Sequence, residues 1–574
     1  MSWIFGVCSN TENLRSAAFP CHEPPLYRTV TPRLYLAAGG NPDTTFWDSS
    51  SDGSAGWIVV GTGITGQPDC RRLLDRDDWH RLLSSPSFDH HTLDGHFIAL
   101  RWGPRLIEVF SDQLGLRTVY FGRCETGVCL STRLDWLTRT TGLADIDYEA
   151  LGSRWLMFNQ LTYESGIMGI DRLGPGGHAR INETCSFQQT WNPWAPRFEK
   201  GDPKNLPRLL KGILHCAVGQ KRTFSLGLSG GVDSRLLLAL LSSLAPGRFE
   251  THTFGNSGDP DVVLARRIAS SLGVTHTHLD GTPEGATPTT DELRQFAAQT
   301  CLVEPVSSFL KLRHYDTLRT MKKTLVDGGF GEIGRRQYLN RIVRFGRSAL
   351  RSKDSSRLLP LMRTPRANIF STEITGMLER GAHKSLDRTL HEMPAVEAIG
   401  AENFADLLAV RTRLPNYGGP EQARLDGIIL NYMPLAQPSF LEAVFGISGR
   451  GRSNAALYYE MIRASKPELA GIPLAKGGCT YRFGLSTPLT WAVVKLKSKL
   501  PTRFEDPGPS DLLMRLKEFV LDTLHSRQCT ENPVYDRRKI TSAVGDFYDG
   551  ATKWRTTVDW WLTFELWRQS LCQR

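Results

Sequence analysis

Short apolar runs broken by turn residues fill the first third of the chain. WIVVGTGITG (57–66), HFIALRW (96–102), RLIEVF (105–110) and TVYFGR (118–123) have strand length and strand patterning, and Gly103-Pro104-Arg105 predicts a hairpin turn between two of them. Helices are predicted over 130–136 and 148–158. A polar, proline-bearing stretch over 192–207 is the linker candidate, dividing the chain into 1–195 and 205–574. The period changes after Leu209. An apolar strand over 224–228 is followed at once by an apolar helix from Arg235 to about Leu244. A strand over 249–254 precedes a helix over 259–273, whose Val262, Ala265, Ile268, Ala269 and Leu272 share one face and which Gly273 ends. Then come a strand over 274–279, helices near 291–303 and 308–323, and a strand over 324–326. Strands alternating with helices predict an α/β fold with a doubly wound parallel sheet, in which ligands sit beyond the carboxyl ends of the strands. From about Leu359 the pattern is mostly helical, and the tryptophans over 554–567 are expected in the core.

Both glycine-rich stretches of this region fall at strand ends. The first is Ser229-Gly230-Gly231-Val232-Asp233-Ser234. Adjacent glycines let the backbone turn tightly beside a ligand. The amides of the turn and of the next helix's first turn lack intrahelical partners, and the helix dipole favours an anion there. Ser229 and Ser234 add hydroxyl donors. Asp233 would repel a bare phosphate, so the motif suggests a bridging Mg2+. This is the composition of a pyrophosphate cradle. The string resembles the PP-loop of ATP pyrophosphatases, and it differs from a Walker A loop because no Lys-Ser/Thr pair follows the glycines. The second stretch is Asp327-Gly328-Gly329-Phe330-Gly331-Glu332.

The chain has 574 residues, enough for two or three domains, with 40% apolar and 22% charged residues. No apolar run has membrane-spanning length, and the N-terminal segment lacks the pattern of a secretory signal. The 11 cysteines include no CxxC pair and suit a reduced, cytoplasmic protein. A net charge of +10 permits an acidic partner, but no RNA-binding aromatic motif accompanies it, so neither nucleic acid nor membrane is expected as a partner. His276 and His278 alternate along a strand with no third ligand, and Asp89-His90-His91 lies in a loop. Neither is expected to hold a metal.

Ordered signposts along most of the chain resemble the asparagine synthetase superfamily. They are Ile4-Phe5-Gly6, Asp94-Gly95-His96-Phe97, Asp112 to Arg117 with Val119-Tyr120-Phe121, Gly174 to His178, the Ser229–Ser234 string, Thr253-Phe254-Gly255, and Lys476 in LAKGG. The resemblance implies an N-terminal Ntn-type, glutaminase-like αββα sandwich and a C-terminal ATP-dependent ligase domain. It implies ATP and Mg2+ as cofactors. Ser229, Gly230, Gly231, Asp233, Ser234, Thr253, Phe254, Asp327 and Gly328 would bind the nucleotide. Asp233 and Glu332 would hold the metal. Lys476, Asp233 and Glu332 would be catalytic, with Lys476 stabilising pyrophosphate or the developing oxyanion. Two departures matter. Ser2 stands where glutamine-using members have the nucleophilic cysteine, and Gly61-Thr62-Gly63 lacks the Asn and Glu of the glutamine-binding strand. Gly329 stands where the family has a glutamate that assists amine deprotonation. Tyr338, Glu304 and Tyr481 are candidates for that proton. Members without glutaminase include β-lactam synthetases and the macrolactam synthetases (cyclases) of lasso peptides, and Arg235, the DGGFGE loop and the missing cysteine are more similar to the lasso cyclases. That resemblance implies a precursor peptide as substrate, with a leader peptidase and a leader-binding protein as partners. The alternatives are an asparagine- or β-lactam-type ligase acting on a small molecule, a tRNA-modifying PP-loop enzyme and a non-catalytic peptide-binding relative.

Overall fold

The computed structural model describes residues 1–11, 14, 23–198, 201–219, 223–280, 287–499 and 504–572. In the N-terminal third, two antiparallel sheets lie face to face. One has the order Ile170–Arg172, Tyr120–Cys124, Gly127–Ser131, Trp3–Ser9, Leu34–Gly39, Tyr27–Val30. The other runs Phe187–Thr190, His178–Asn182, Leu106–Ser111, Asp94–Trp102, Gly56–Gln67, Thr45–Ser49, with Cys70–Leu73 paired beside Gly56–Gln67. Strand alternation sorts the side chains between layers. Ile4, Leu36, Ile58, Val60, Ile98 and Leu100 fill the space between the sheets. Trp57, Val59, Phe97 and Ala99 face outward, onto Trp79 and Leu83 of the helix Arg76–Ser84. Trp3, Phe5 and Val7 face the other way, toward Leu134, Trp136 and Leu137 of the helix Leu134–Thr141. The result is the expected αββα sandwich.

The helix predicted over 130–136 is corrected. Leu130 and Ser131 complete a strand paired with Phe5 and Gly6, and the helix begins only at Leu134. The helix predicted over 148–158 is Tyr148–Leu156. Part of the predicted linker, residues 199–200, lies outside the described residues. Its described flanks run along the second region, where the Gly201 amide donates to Gly446 O at 2.7 Å.

The C-terminal region carries one parallel sheet in the order His276–Asp280, Phe249–Gly255, Phe224–Gly227, Thr324–Val326, Asn431–Tyr432. Numbered along the region, this is 3-2-1-4-5. Chain order therefore reverses between the first and fourth strands. Such a switch point leaves a crevice at the strand carboxyl ends, the usual ligand site of an open α/β sheet. On one face Leu226 and Val326 meet the helices Leu206–Val218, Val232–Leu244 and Pro260–Ser271. On the other, Leu325, Phe254 and Leu279 meet Leu318 and Tyr315 of the helix Leu310–Thr320, with Leu425 and Ile429. The helix after the first strand starts at Val232, three residues earlier than predicted. The helix expected over 308–323 is a 3-10 turn, Val306–Phe309, leading into Leu310–Thr320. Among the described residues no helix is long and apolar enough to cross a membrane. The closing helix Arg555–Cys572 buries Trp561 and Trp567, as expected for core tryptophans.

Asp426, on the last turn of the helix Gly419–Asp426, joins the two regions. It is fully buried. One carboxylate oxygen lies 2.9 Å from His96 Nε2 and accepts from Asn431 Nδ2 at 3.0 Å, and the other is 3.4 Å from Arg117 Nη1. Removing one member of a buried ionic set leaves the others desolvated and unpaired, at a cost of about 3–5 kcal/mol. Asp426→Ala should lower the thermal midpoint by several degrees in a scan. Asp69→Ala, which breaks an exposed pair with Arg208, should leave it nearly unchanged.

Candidate active site

The loop after Phe224–Gly227 leads into the helix Val232–Leu244, whose N-cap, Gly231, makes no side-chain cap bond. The first-turn amides are thus available to an anion. The turn's own amides are differently disposed from the sequence expectation. Ser229 N donates to Ser234 Oγ (3.1 Å), Gly231 N to Ser229 Oγ (3.1 Å), and Gly230 N to Asp261 Oδ1 (2.8 Å). Side chains hold the turn in shape. Asp261 comes from the first turn of Pro260–Ser271, and burial and the neighbouring Asp259 raise its carboxyl above the ordinary range.

Ser229, Gly231, Asp233, Ser234, Thr253, Phe254, Asp327 and Gly328 all line one cavity of about 360 Å3 at the switch point, together with Asp261 and Tyr315. Thr253 donates to Leu228 O at 2.5 Å. Phe254 stacks on His314 (centroids 4.9 Å apart) and meets Tyr315 edge-on. Asp327 accepts from Gly329 N at 2.9 Å, and burial raises its pKa. His252, on the same wall, is held neutral by burial, which pulls its pKa to about 3. A larger recess of about 550 Å3 opens at the opposite end of the strands, beside Phe224, Phe249 and Val274. Helices end there rather than begin, so that end disfavours an anion.

Gly230 is the one expected nucleotide contact that the structure moves away from the cavity. A Cβ there would lie 2.6 Å from Ala475 Cβ. Its bare Cα lets the hairpin Leu474–Lys476/Cys479–Tyr481 dock, with Ala475 N donating to Gly230 O at 3.0 Å. Arg235 fixes the same contact from beneath. Its buried guanidinium donates to Leu469 O (3.1 Å), Ile472 O (2.7 Å), Pro473 O (2.6 Å) and Gly230 O (3.3 Å). Burial lowers its pKa to about 10, still well above neutrality.

The hairpin brings Lys476 to the rim, outside the cavity lining but within electrostatic reach of Asp233, Glu332 and Arg335. Its surroundings and the Arg335 charge pull its pKa below the usual lysine value, against the two carboxylates. Glu332 also sits at the rim. Phe330 takes a left-handed conformation (φ 64°) and opens the short helix Gly331–Gly334. A Cβ at Gly331 would lie 2.3 Å from Asp233 Cγ, so only glycine lets this loop close on Asp233.

Both expected metal ligands are held by arginines that sequence reasoning missed. Arg335 donates from Nε to Asp233 Oδ1 (2.8 Å) and from Nη2 to Oδ2 (3.0 Å). Arg413 donates from Nε to Glu332 Oε1 (3.1 Å) and stacks among Phe330, Tyr338 and Tyr417. Asp233 and Glu332 offer the hard oxygen donors that Mg2+ takes, and the Arg413 pair engages only one oxygen of Glu332. A cation bridging the two carboxylates would have to displace Arg335, which takes both oxygens of Asp233. Of the other proton acceptors considered, Glu304 is buried in an ion pair with Arg424, and Tyr338 donates to Asn159 Oδ1 at 3.2 Å. Burial raises Tyr481 to about 12. His276 and His278 bond to Thr251 and Gly255, as ordinary strand residues would. Asp89, His90 and His91 do bring three ligand atoms within 4.8 Å of one another, but His90 Nε2 is engaged with Gly176 O at 3.1 Å.

The corresponding region of the N-terminal sandwich is closed. Ser2 Oγ is fully buried, accepts from Asn41 N (3.1 Å), shares a hydrogen bond with Thr44 Oγ1 (2.8 Å) and donates to Asp426 O (3.2 Å). Arg117 Nη2 donates to Ser2 O at 2.7 Å. A Cβ at Gly63 would lie 2.5 Å from the Trp79 ring.

Residues 206–323 match the asparagine synthase family. The matched segment spans the first three strands of the parallel sheet and the Ser229–Ser234 loop. No curated protein sequence matches the chain. Solved structures similar to parts of it include a glutamine phosphoribosylpyrophosphate amidotransferase from B. subtilis, complexed with ADP and GMP. It is 9% identical, covers 48% of this chain and 84% of its own, and has a TM-score of 0.22. An NH3-dependent NAD synthetase from Campylobacter jejuni, in complex with nitrate, is 17% identical and covers 34% of this chain and 98% of its own, with a TM-score of 0.18.

Gly230→Ala should push the Ser229–Ser234 loop and the Lys476 hairpin apart. Such overpacking costs about 1–3 kcal/mol. Calorimetry should find weaker binding of a nonhydrolysable ATP analogue by about tenfold or more, with secondary structure unchanged.

Proposed function

We propose that the protein is an ATP-dependent, AMP-forming amide ligase that joins a carboxylate to an amine of the same peptide and so closes a macrolactam. The observation that carries this reading is the junction of Ser229–Ser234 with the Lys476 hairpin at the switch-point cavity. An uncapped helix N-terminus, a lysine and an arginine converge there, the groups that neutralise a departing pyrophosphate. Asp233 and Glu332 would hold Mg2+, which would neutralise phosphate charge.

In this mechanism ATP lies in the cavity with its pyrophosphate against the first turn of Val232–Leu244. A side-chain carboxylate of the peptide attacks the α-phosphorus. The bond to the β-phosphate oxygen breaks, and an acyl-adenylate and pyrophosphate result. The peptide's amine then attacks the acyl carbon, expels AMP and loses one proton to the solvent or to a nearby base. The chain's work is charge neutralisation and positioning. The amine comes from the substrate itself because the Ser2 hydroxyl is buried and engaged with Asn41, Thr44 and the Asp426 carbonyl. A leader peptidase and a leader-binding protein are the partners this reading calls for.

ATP–pyrophosphate exchange tests the reading. With a peptide carboxylate supplied, Lys476→Ala should lower exchange by about 100–1000-fold, the usual cost of losing one preorganised charge partner. Ser2→Ala should leave exchange and product intact. Exchange supported equally by free aspartate, or AMP release with ammonia as acceptor, would transfer the reading to a small-molecule ligase. A second prediction concerns pH. The lowered pKa of Lys476 makes it lose its charge, and the rate fall, at a lower pH than for an ordinary lysine. Arg335→Gln removes one cause of that lowering. The alkaline limb of the rate profile should therefore move to higher pH, whatever the variant does to the plateau.

A further inference from the structure

The helix Thr487–Lys497 is almost unburied: Thr490 is its one buried residue. Leu489, Trp491 and Leu496 are 56, 62 and 69% exposed. Leu489, Ala492 and Leu496 follow the i, i+3, i+7 spacing of one helical face, and Trp491 extends it on one side with Lys495 between Trp491 and Ala492. Lys495 Nζ lies 4.6 Å from the Trp491 ring centroid. Residues 487–499 include Lys495, Lys497 and Lys499 and no acidic residue. Single exposed apolar residues need no explanation, but three on one short helix do.

The helix is tied to the active site at both ends. Thr487 Oγ1 accepts from Gln337 Nε2 (3.2 Å), five residues beyond Glu332, and Thr487 N donates to Asn454 Oδ1 (2.9 Å). At the other end Lys497 Nζ donates to Thr480 O (2.7 Å), on the strand paired with the one that carries Lys476.

We infer that this face is the docking surface for an acidic, leucine- or aromatic-bearing stretch of the peptide substrate, lying outside the residues that react. Charge decides between occupants. A second copy docked face to face would set lysines against lysines with no acid to balance them. A helix lying on a membrane keeps its charges at the border of an unbroken apolar sector, whereas Lys495 stands inside this one. A peptide offering carboxylates between apolar side chains satisfies both the rings and the lysines, and one whose carboxylate reaches Lys476 passes this helix. The inference rests on the peptide-ligase reading only for the identity of the occupant.

Fluorescence anisotropy tests it without ATP, so it can fail while pyrophosphate exchange succeeds, and the reverse. The probes are short fluorescein-labelled peptides of alternating Leu and Glu, Leu and Lys, or Ser and Glu. The Leu/Glu probe should bind at least about tenfold more tightly than either other probe. The exposed-site variant Leu489→Ser/Trp491→Ser/Leu496→Ser should lose that margin at an unchanged thermal midpoint. Lys495→Glu/Lys499→Glu should reverse the preference toward Leu/Lys. Equal affinity of wild type and both variants for the Leu/Glu probe overturns the inference. So does binding of phosphatidylglycerol/phosphatidylcholine vesicles, or self-association in sedimentation, that the triple variant abolishes without any peptide discrimination.

Discussion

A single buried guanidinium sets the geometry of the site. Among the described residues Arg235 has no carboxylate partner; four backbone carbonyls surround it instead. A desolvated cation is tolerable only while those acceptors stay in place. Three of them belong to the segment that leads into the Lys476 hairpin and one to Gly230, inside the nucleotide loop. Loop and lysine are thereby one rigid unit although more than 230 positions separate Arg235 from Pro473 in sequence. Lys476 can carry a charge role from an exposed rim because its backbone is pinned from below.

The carboxylates opposite are stabilised in the same manner, with the signs exchanged. Asp233 is buried enough that desolvation raises its pKa, and the bidentate Arg335 offsets that rise. Glu332 is held by Arg413, itself stacked among three aromatic rings. Asp233 and Glu332 are therefore each balanced and oriented by an arginine before any ligand arrives. Preorganisation of this kind removes the cost of reorienting dipoles during reaction.

Much of this was legible in the sequence, for local reasons. Strand–glycine–helix junctions are written in a few adjacent residues, so both loops and the alternation of strands and helices could be read from Phe224 to Glu332. Lys476 was legible only through family resemblance. What was not legible depends on distance. Nothing around Asp426 announces that it meets His96, more than 300 residues earlier. Arg335 and Arg413 look like any surface arginines until the chain folds. Gly230 reads as a phosphate contact and is instead the gap into which Ala475 fits. The misplaced helix start at Leu130 has a similar origin: the apolar Leu130 fits a helix pattern equally well, and only its partner Phe5 makes it a strand.

The enclosure of Ser2 bears on the joint between the two halves. A thiol introduced at that position would meet the same wall of Thr44, Asn41 and the Asp426 carbonyl, and would have no opening through which to receive a substrate. The carbonyl in that wall belongs to Asp426, the residue whose buried carboxylate balances His96 and Arg117. The groups that enclose Ser2 and those that tie the two halves together thus meet in one residue, and opening a path to Ser2 would disturb the joint between the halves.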